Sequence, residues 1–376
     1  MRVMLYCQHV LGVGHFFRSM EIARAFKGHE VLFVEGGEPL ADFTPPSHVE
    51  RVFLPPLMMD ADFSRVETRG GELDEIKYSR KRLLEEAFRT FAPNVFLIEL
   101  FPFGRKYFKF ELLPLLQAIK QEALPVKVVC SLRDILVEKK DQTGYEERVI
   151  RILNTFFDLL LIHSDPQLIR LNETFSRVKD IDIPIEYTGF VTRQPPHAAT
   201  ADRTGLIVVS GGGSPVGKDL LAAAISAGQS LPDRELRMRA FASPFMESDD
   251  LDYLEKLAAK DERTTLLPFS SEFLSELAAA DLSISMAGYN TCMDILSSGV
   301  KALVYPFPQN REQRTRAEKL QELGVLTVLE TLRVDYLAAQ ISAKMKYKNP
   351  HPAAAAILKD GAANTVHIVE KYFSRL

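Results

Sequence analysis

Tryptophan is absent from this 376-residue sequence, cysteine occurs three times, and glycine and proline stay at 20 and 21. The three thiols, Cys7, Cys130 and Cys292, lie far apart in apolar surroundings with no CxxC spacing. An odd, dispersed set excludes a disulfide framework and a cysteine-ligated zinc site, and it points to a reducing cytoplasm. With 26% charged and 46% apolar residues, the chain is neither a fibrous repeat nor disordered. No run approaches the roughly 18 apolar residues of a membrane-crossing helix, so membrane contact is expected to be peripheral at most, on the inner face. The opening MRVMLYCQHVLGVGHFF has too short an apolar run for a secretory leader and reads as a first strand. Charge of one sign is missing too. Up to Arg203 there are 27 Lys+Arg against 29 Asp+Glu, and beyond it 19 against 21, so each part carries −2. Nucleic acid is therefore not an expected partner.

What is present is a rhythm. At about 150 residues per domain the length asks for two domains. Short apolar runs at Val3–Cys7, Val31–Val34, Val95–Ile98, Val126–Cys130 and Leu159–Ile162 alternate with helical patterns at Phe16–Phe26, Arg80–Phe91 and Glu111–Glu122. Thr192–Thr204, TRQPPHAATADRT, has no periodicity and reads as a linker. The rhythm then restarts, with strands expected at Leu206–Val209, Arg237–Ala242, Thr265–Leu267, Leu282–Ser285 and Ala302–Tyr305. Helices are expected from Lys218, over Leu251–Ala259, Ser271–Ala280, Thr291–Ser298 and Glu312–Leu323, and in the tail Asp360–Leu376. Continuously apolar strands between helices predict parallel sheets covered on both faces, in two doubly wound α/β domains.

Two glycine loops open the two halves. Gly12-Val13-Gly14-His15-Phe16-Phe17-Arg18 follows the first strand and lacks the third glycine of a dinucleotide fingerprint. His15 at a strand's carboxyl end is the expected general base, and Arg18 is expected either in solvent or on a phosphate or acceptor. Ser210-Gly211-Gly212-Gly213-Ser214-Pro215-Val216-Gly217 follows a strand of the second half. Its exposed amides suit a diphosphate, but Gly217-Lys218-Asp219 is not a Walker ending. Glu99, Arg105 and Arg133 all follow strand ends of the first half and read as acceptor-binding or supporting groups, Glu99 also as the carboxylate that orients His15. KYSRKR (77–82) and FGRKYFKF (103–110) mix basic and aromatic residues, which suits either a solvated helix face or an anionic bilayer. Asp60-x-Asp62, Asp180-x-Asp182 and Asp250-x-Asp252 have metal-like spacing in charged surroundings and are read as chance, so no metal site is expected.

Leu267-Pro268-Phe269, Met286-Ala287-Gly288-Tyr289-Asn290-Thr291-Cys292-Met293-Asp294, Pro306-Phe307-Pro308 and Arg311-Glu312-Gln313-Arg314-Thr315-Arg316-Ala317 follow in order. In this order of motifs the sequence resembles glycosyltransferase family 28 of the GT-B superfamily, best over Leu206–Val328. The resemblance implies two Rossmann-like domains facing a central cleft: 1–193 for the acceptor, a linker at 194–204, 205–352 for a nucleotide-sugar donor, and a tail, 353–376, packing back on the first domain. It implies an inverting, metal-independent hexosyltransferase with no cofactor beyond its cosubstrate, a UDP-linked sugar, and with a small or lipid-linked hydroxyl acceptor. Phe269 would lie against the base and Asp294 would hold the ribose hydroxyls. Gly12, Gly14, Gly211, Gly212, Gly213, Ser214, Gly288, Thr291, Glu312 and Gln313 would contact the diphosphate and sugar. Asp294 stands where the family usually has Glu, and Glu312 where its peptidoglycan branch has an amide. The Gly-x-Gly-His-x-x-Arg loop also resembles that of nucleotide-sugar hydrolases, which keeps water open as the acceptor. A binding protein without turnover is the third reading.

Overall fold

The structure, a computed structural model, describes residues 1–9, 13–39, 43–59, 66–68, 71–194, 205–212, 217–243, 246–270, 272–346 and 356–373. The chain forms two compact units, Met1–Val191 with Leu358–Leu376, and Thr192–Ile357. In the first unit the elements run β1 (Arg2–Cys7), α1 (Gly14–Ala25), β2 (Glu30–Glu35), β3 (Val49–Phe53), β4 (Leu57–Met59), β5 (Val66–Thr68), α2 (Leu73–Phe91), β6 (Val95–Glu99), α3 (Lys109–Gln121), β7 (Lys127–Arg133), α4 (Gln142–Phe156), β8 (Leu159–His163) and β9 (Ile185–Tyr187). The second holds β10 (Leu206–Ser210), α5 (Lys218–Ser230), β11 (Arg237–Phe241), α6 (Ser248–Ala258), β12 (Thr264–Leu267), α7 (Phe273–Ala279), β13 (Leu282–Met286), α8 (Tyr289–Ser298), β14 (Ala302–Tyr305), α9 (Arg311–Glu322), β15 (Thr327–Val328) and α10 (Val334–Lys346). The tail helix, α11 (Gly361–Phe373), returns to the first unit.

The first unit's main sheet is parallel, in the order β3-β2-β1-β6-β7-β8-β9. Alternate side chains of β1 separate cleanly. Met4 and Tyr6 join α2, α3 and α4 through Leu84, Phe88, Leu112, Leu116, Val149 and Leu153. Val3, Leu5 and Cys7 face the other way, where Phe16 and Met20 of α1 and Val369 and Phe373 of α11 close the layer. Both faces are buried, which is why these strands read as unbroken apolar runs. The second unit's sheet is also parallel, ordered β12-β11-β10-β13-β14-β15, with α5, α6 and α10 over Ile207, Val209, Met238, Ile284 and Leu303. The expected α/β fold with parallel, doubly wound sheets is what the chain adopts.

Several elements escaped the sequence pattern. β3 is VERVF, whose charges break the apolar run because it is an edge strand with only Val49 fully buried. α4 opens in a polar stretch, where the Asp141 side chain accepts from the Gly144 amide at 3.0 Å. α2 begins at Leu73, well before the expected Arg80, and β7 continues through Arg133, which is therefore strand rather than loop. Of the expected linker, residues 195–204 lie outside the described ones.

Candidate active site

In an open parallel sheet a crevice forms where strand order reverses, beyond the carboxyl ends of the two strands involved. In the first unit that point is between β1, which leads outward to β2, and β6, which pairs on its other side. His15, in the first turn of α1 after β1, and Glu99, the last residue of β6, meet here. His15 Nδ1 lies 2.6 Å from Glu99 Oε1. Arg18, one turn further along α1, donates to the same oxygen. A guanidinium has only donors, so Glu99 is the acceptor of both, and the Nδ1–H tautomer leaves the Nε2 lone pair as the basic site.

Burial pushes the His15 imidazole down to about 3, against the pull of Glu99 and with the help of Arg105 and Arg18. Burial works against ionisation of Glu99 as well, but His15, Arg18 and Arg105 outweigh it and hold the carboxyl low, at about 2. The resting pair is thus a neutral imidazole on a carboxylate. Glu99 is 1% exposed and His15 22%, so the base is enclosed yet reachable. Arg18 is only 2% exposed, so the solvated alternative for it does not hold.

Arg105 and Arg133 come to the same strand ends. Arg105 Nε is 3.8 Å from Glu99 Oε2 with its side chain 7% exposed, and Arg133, the last residue of β7, acts electrostatically on Arg105. Each basic stretch is part solvated and part core: Tyr78, Lys81, Arg82, Lys106 and Lys109 are exposed. Arg80 is fully buried on Glu111, and Phe103 and Phe108 belong to the core. Gly14 starts α1, while Gly12 lies outside the described residues.

The second unit reverses strand order between β10 and β13. After β10, Gly211 and Gly217 pack backbone to backbone: a Cβ on Gly217 would sit 2.4 Å from Gly211 Cα. Gly212 takes φ +79°, a left-handed conformation suited to glycine. Gly213 and Ser214 lie outside the described residues. After β13, Gly288 caps α8, and Thr291 and Asp294 follow on the helix. Gly211, Gly212, Gly288 and Thr291 are thereby brought to one sheet's switch point, where the start of α8 suits an anion, while the Gly211 amide donates to the Phe241 carbonyl at 3.5 Å and the Gly212 amide to Ser210 Oγ at 3.1 Å. Phe269 follows β12 and is half-buried.

Asp294 is no surface carboxylate. It is buried, and Arg193 clasps it through Nε to Oδ1 at 3.0 Å and Nη2 to Oδ2 at 2.5 Å. Burial raises its pKa while Arg193 opposes that rise. Each carboxylate oxygen keeps a further lone pair, so a diol can still be accepted. Glu312 is buried at the start of α9, and Gln313 Oε1 accepts from the Phe307 amide at 3.0 Å. Sequence reasoning gave no role to Arg193, which it placed at the edge of the linker, or to Arg316, whose buried guanidinium lies 5.3 Å from the Tyr289 ring centre.

Among the described residues no group of three or more His, Cys, Asp or Glu could hold a metal ion. Asp180 pairs with Arg177, Asp250 with Lys218, and Asp60 and Asp62 lie outside the described residues. Among those residues no helix is long and apolar enough to cross a membrane.

Residues 206–366 match the glycosyltransferase family 28 C-terminal domain. The UDP-N-acetylglucosamine--N-acetylmuramyl-(pentapeptide) pyrophosphoryl-undecaprenol N-acetylglucosamine transferase of Burkholderia cenocepacia is 29% identical over 163 residues, which are 40% of this chain and 44% of that protein. The enzyme of the same name from Thermoanaerobacter sp. is 30% identical over 104 residues, 27% of this chain and 28% of that one. The chain thus matches less than half the length of these relatives. Among solved structures, the calicheamicin glycosyltransferase CalG4 superposes with a TM-score of 0.64 at 17% identity, covering 100% of this chain and 99% of that one. MurG of Acinetobacter baumannii gives 0.57 at 14% identity, again with 100% and 99% covered. The sequence match thus places a family 28 C-terminal domain at residues 206–366, and the chain as a whole shares the GT-B fold of these solved structures.

Proposed function

We propose that the chain is a glycosyltransferase that moves a hexosyl group from a nucleotide sugar, UDP-linked, to a hydroxyl acceptor with inversion at the anomeric carbon. The observation that carries this reading is the His15–Glu99 pair, 2.6 Å apart at the first unit's switch point. His15 Nε2 takes the proton of the acceptor hydroxyl as its oxygen bonds to the anomeric carbon. The bond from that carbon to the diphosphate oxygen breaks, and the nucleoside diphosphate leaves with the electron pair. Glu99 stabilises the imidazolium as it forms, so the base need not be strong at rest. Amides of the α8 start meet the charge growing on the diphosphate, and Asp294 accepts from the ribose. The names of the Burkholderia and Thermoanaerobacter relatives support UDP as the nucleotide and a lipid-linked acceptor. The scheme uses no metal and no further cofactor.

The same lone pair would serve water, so a nucleotide-sugar panel decides between acceptors. Mixed with UDP-, GDP- and dTDP-sugars, the protein should release UDP only when a hydroxyl acceptor is present. Free sugar without acceptor would make it a hydrolase, and saturable binding without turnover would make it a sensor. His15→Ala should abolish turnover and leave UDP affinity within about twofold; surviving activity would remove the base assignment.

A further inference from the structure

Arg18 sits where neither of its expected roles is open to it. Its side chain is 2% exposed, which leaves it out of reach of solvent, acceptor and phosphate alike. Arg18 lies three residues after His15 on α1, and such positions share a helix face. Glu99 continues the alternation of Val95 and Leu97, the β6 residues that pack with Phe16 and Met20 of α1. One helix face thus brings a guanidinium and an imidazole to one carboxylate oxygen. Arg18 Nη2 donates to Glu99 Oε1, which His15 Nδ1 meets at 2.6 Å, and it stands 3.1 Å from Nδ1 itself. A second cation, Arg105, stands off from the other oxygen at 3.8 Å.

A cation this close does not help His15 take up a proton. Burial lowers the basicity of the ring, and Arg105 and Arg18 lower it further, because each repels an imidazolium. Nor does a tie between helix and strand account for Arg18, since apolar side chains of similar size hold such a contact at least as well as a buried ion pair. What Arg18 serves is the carboxylate. Burial favours the protonated form of Glu99, and His15, Arg18 and Arg105 act against it. Of the two arginines, Arg18 is the one in hydrogen-bond contact.

The protonation of Glu99 decides which nitrogen of His15 is basic. A protonated Glu99 would donate to Nδ1, and the ring would then carry its hydrogen on Nε2, where no proton can be accepted. An ionised Glu99 only accepts, which puts the hydrogen on Nδ1 and the lone pair on Nε2. We propose that Arg18 is the positioning residue of this pair: by donating to Glu99 Oε1 it keeps the carboxylate an acceptor, and so keeps the imidazole lone pair on Nε2. Arg18 thereby gives up some basicity in His15 to fix its tautomer. The inference deepens the transferase reading and rests on it, since that lone pair is what takes the proton of the acceptor hydroxyl.

Nitrogen-15 NMR of the histidine rings tests this without substrate. Spectra of the full chain at pH 7 would compare wild type with Arg18→Lys, Arg18→Met and Arg18→Gln, the His15 signals being assigned by their loss in His15→Gln. The wild type should show a neutral His15 with its hydrogen on Nδ1, and Arg18→Lys, which keeps a donating cation, should show the same. Arg18→Met, close in length and uncharged, should carry a hydrogen on Nε2. So should Arg18→Gln, which keeps a donor without the charge and serves if the methionine variant does not fold. With substrates, kcat should fall about tenfold to a hundredfold in the neutral variants and return to within about fivefold of wild type in Arg18→Lys, with UDP affinity unchanged throughout. A merely structural tie would lower the melting temperature and leave the ring as it was. A bare Nε2 retained in a folded neutral variant overturns the proposal, as does a hydrogen on Nε2 in the wild type or in Arg18→Lys. The spectra do not depend on turnover, so the expected tautomers together with no transfer to any acceptor would overturn the transferase reading alone.

Discussion

At the scale of single residues, the first unit's chemistry depends on keeping an imidazole neutral and a carboxylate charged in the same enclosed space. Glu99→Gln keeps the size of the side chain but removes the charge that steadies the imidazolium. The proposed reaction should then slow by about two to four orders of magnitude in kcat, with UDP affinity unchanged. Stopped-flow release of UDP would measure it, and a loss confined to KM would argue against the dyad. Acid stability follows from the same burial. His9 is held down at about 4, and His15 and His163 at about 3, against 6.5 for an exposed imidazole. Below pH 6.5 the unfolded chain takes up protons at these three sites while the folded chain does not, so their contribution to stability falls as pH falls toward 4. Near pH 5 the three together should give a slope of about 4 kcal/mol per pH unit. Urea denaturation at pH 7, 6 and 5 would read the slope, and His163→Gln should reduce it by about a third. A slope unchanged by that substitution would mean His163 titrates normally in the folded protein.

At the scale of elements, strands buried on both faces were legible because their runs are apolar, as in VMLYC of β1 and LLLI of β8. The two glycine loops were legible because each sits between such a run and a helix. β3 and α4 were not, since an edge strand and a half-exposed helix carry charges that break the pattern. His15 and Glu99 could be paired from strand-end logic alone. Arg193 could not be paired with Asp294, 101 positions away, because nothing local marks which distant cation a buried acid will find. The glycine loop of β10 gives a prediction at this scale. Gly212→Ala meets no neighbour within 4 Å and suffers only from its φ of +79°, so it should cost about 1–2 kcal/mol. Gly217→Ala drives a Cβ to 2.4 Å from Gly211 Cα, where backbone rather than a flexible side chain must yield. It should cost more stability than Gly212→Ala and weaken UDP binding, both measurable by thermal melting with and without UDP. Equal effects of the two substitutions would show that the loop ends are not in contact.

At the scale of the whole molecule, the even charge balance and the order of the units say how the chain divides its work. The second unit is one continuous stretch, 192–357, whereas the first is completed only by α11 at the far end of the sequence. The match to the family 28 C-terminal domain runs to residue 366 and so includes part of a helix that belongs structurally to the first unit. α11 is bound there by Val369 and Phe373 in the apolar layer with Phe16 and Met20, by Asn364 Nδ2 on the Thr188 carbonyl at 2.8 Å, and by the Tyr372 hydroxyl on Glu186 at 2.7 Å. Ending the chain at Ile357 uncovers that layer. Loss of Val369 and Phe373 burial alone should cost the first unit about 3–6 kcal/mol. Hydrogen exchange should then show β1 and α1 losing protection while β10 and β13 keep theirs. UDP affinity should stay within about twofold, because Gly211, Gly288 and Asp294 lie inside 192–357. Loss of protection in β10 and β13 to the same extent would mean that the two units fold as one.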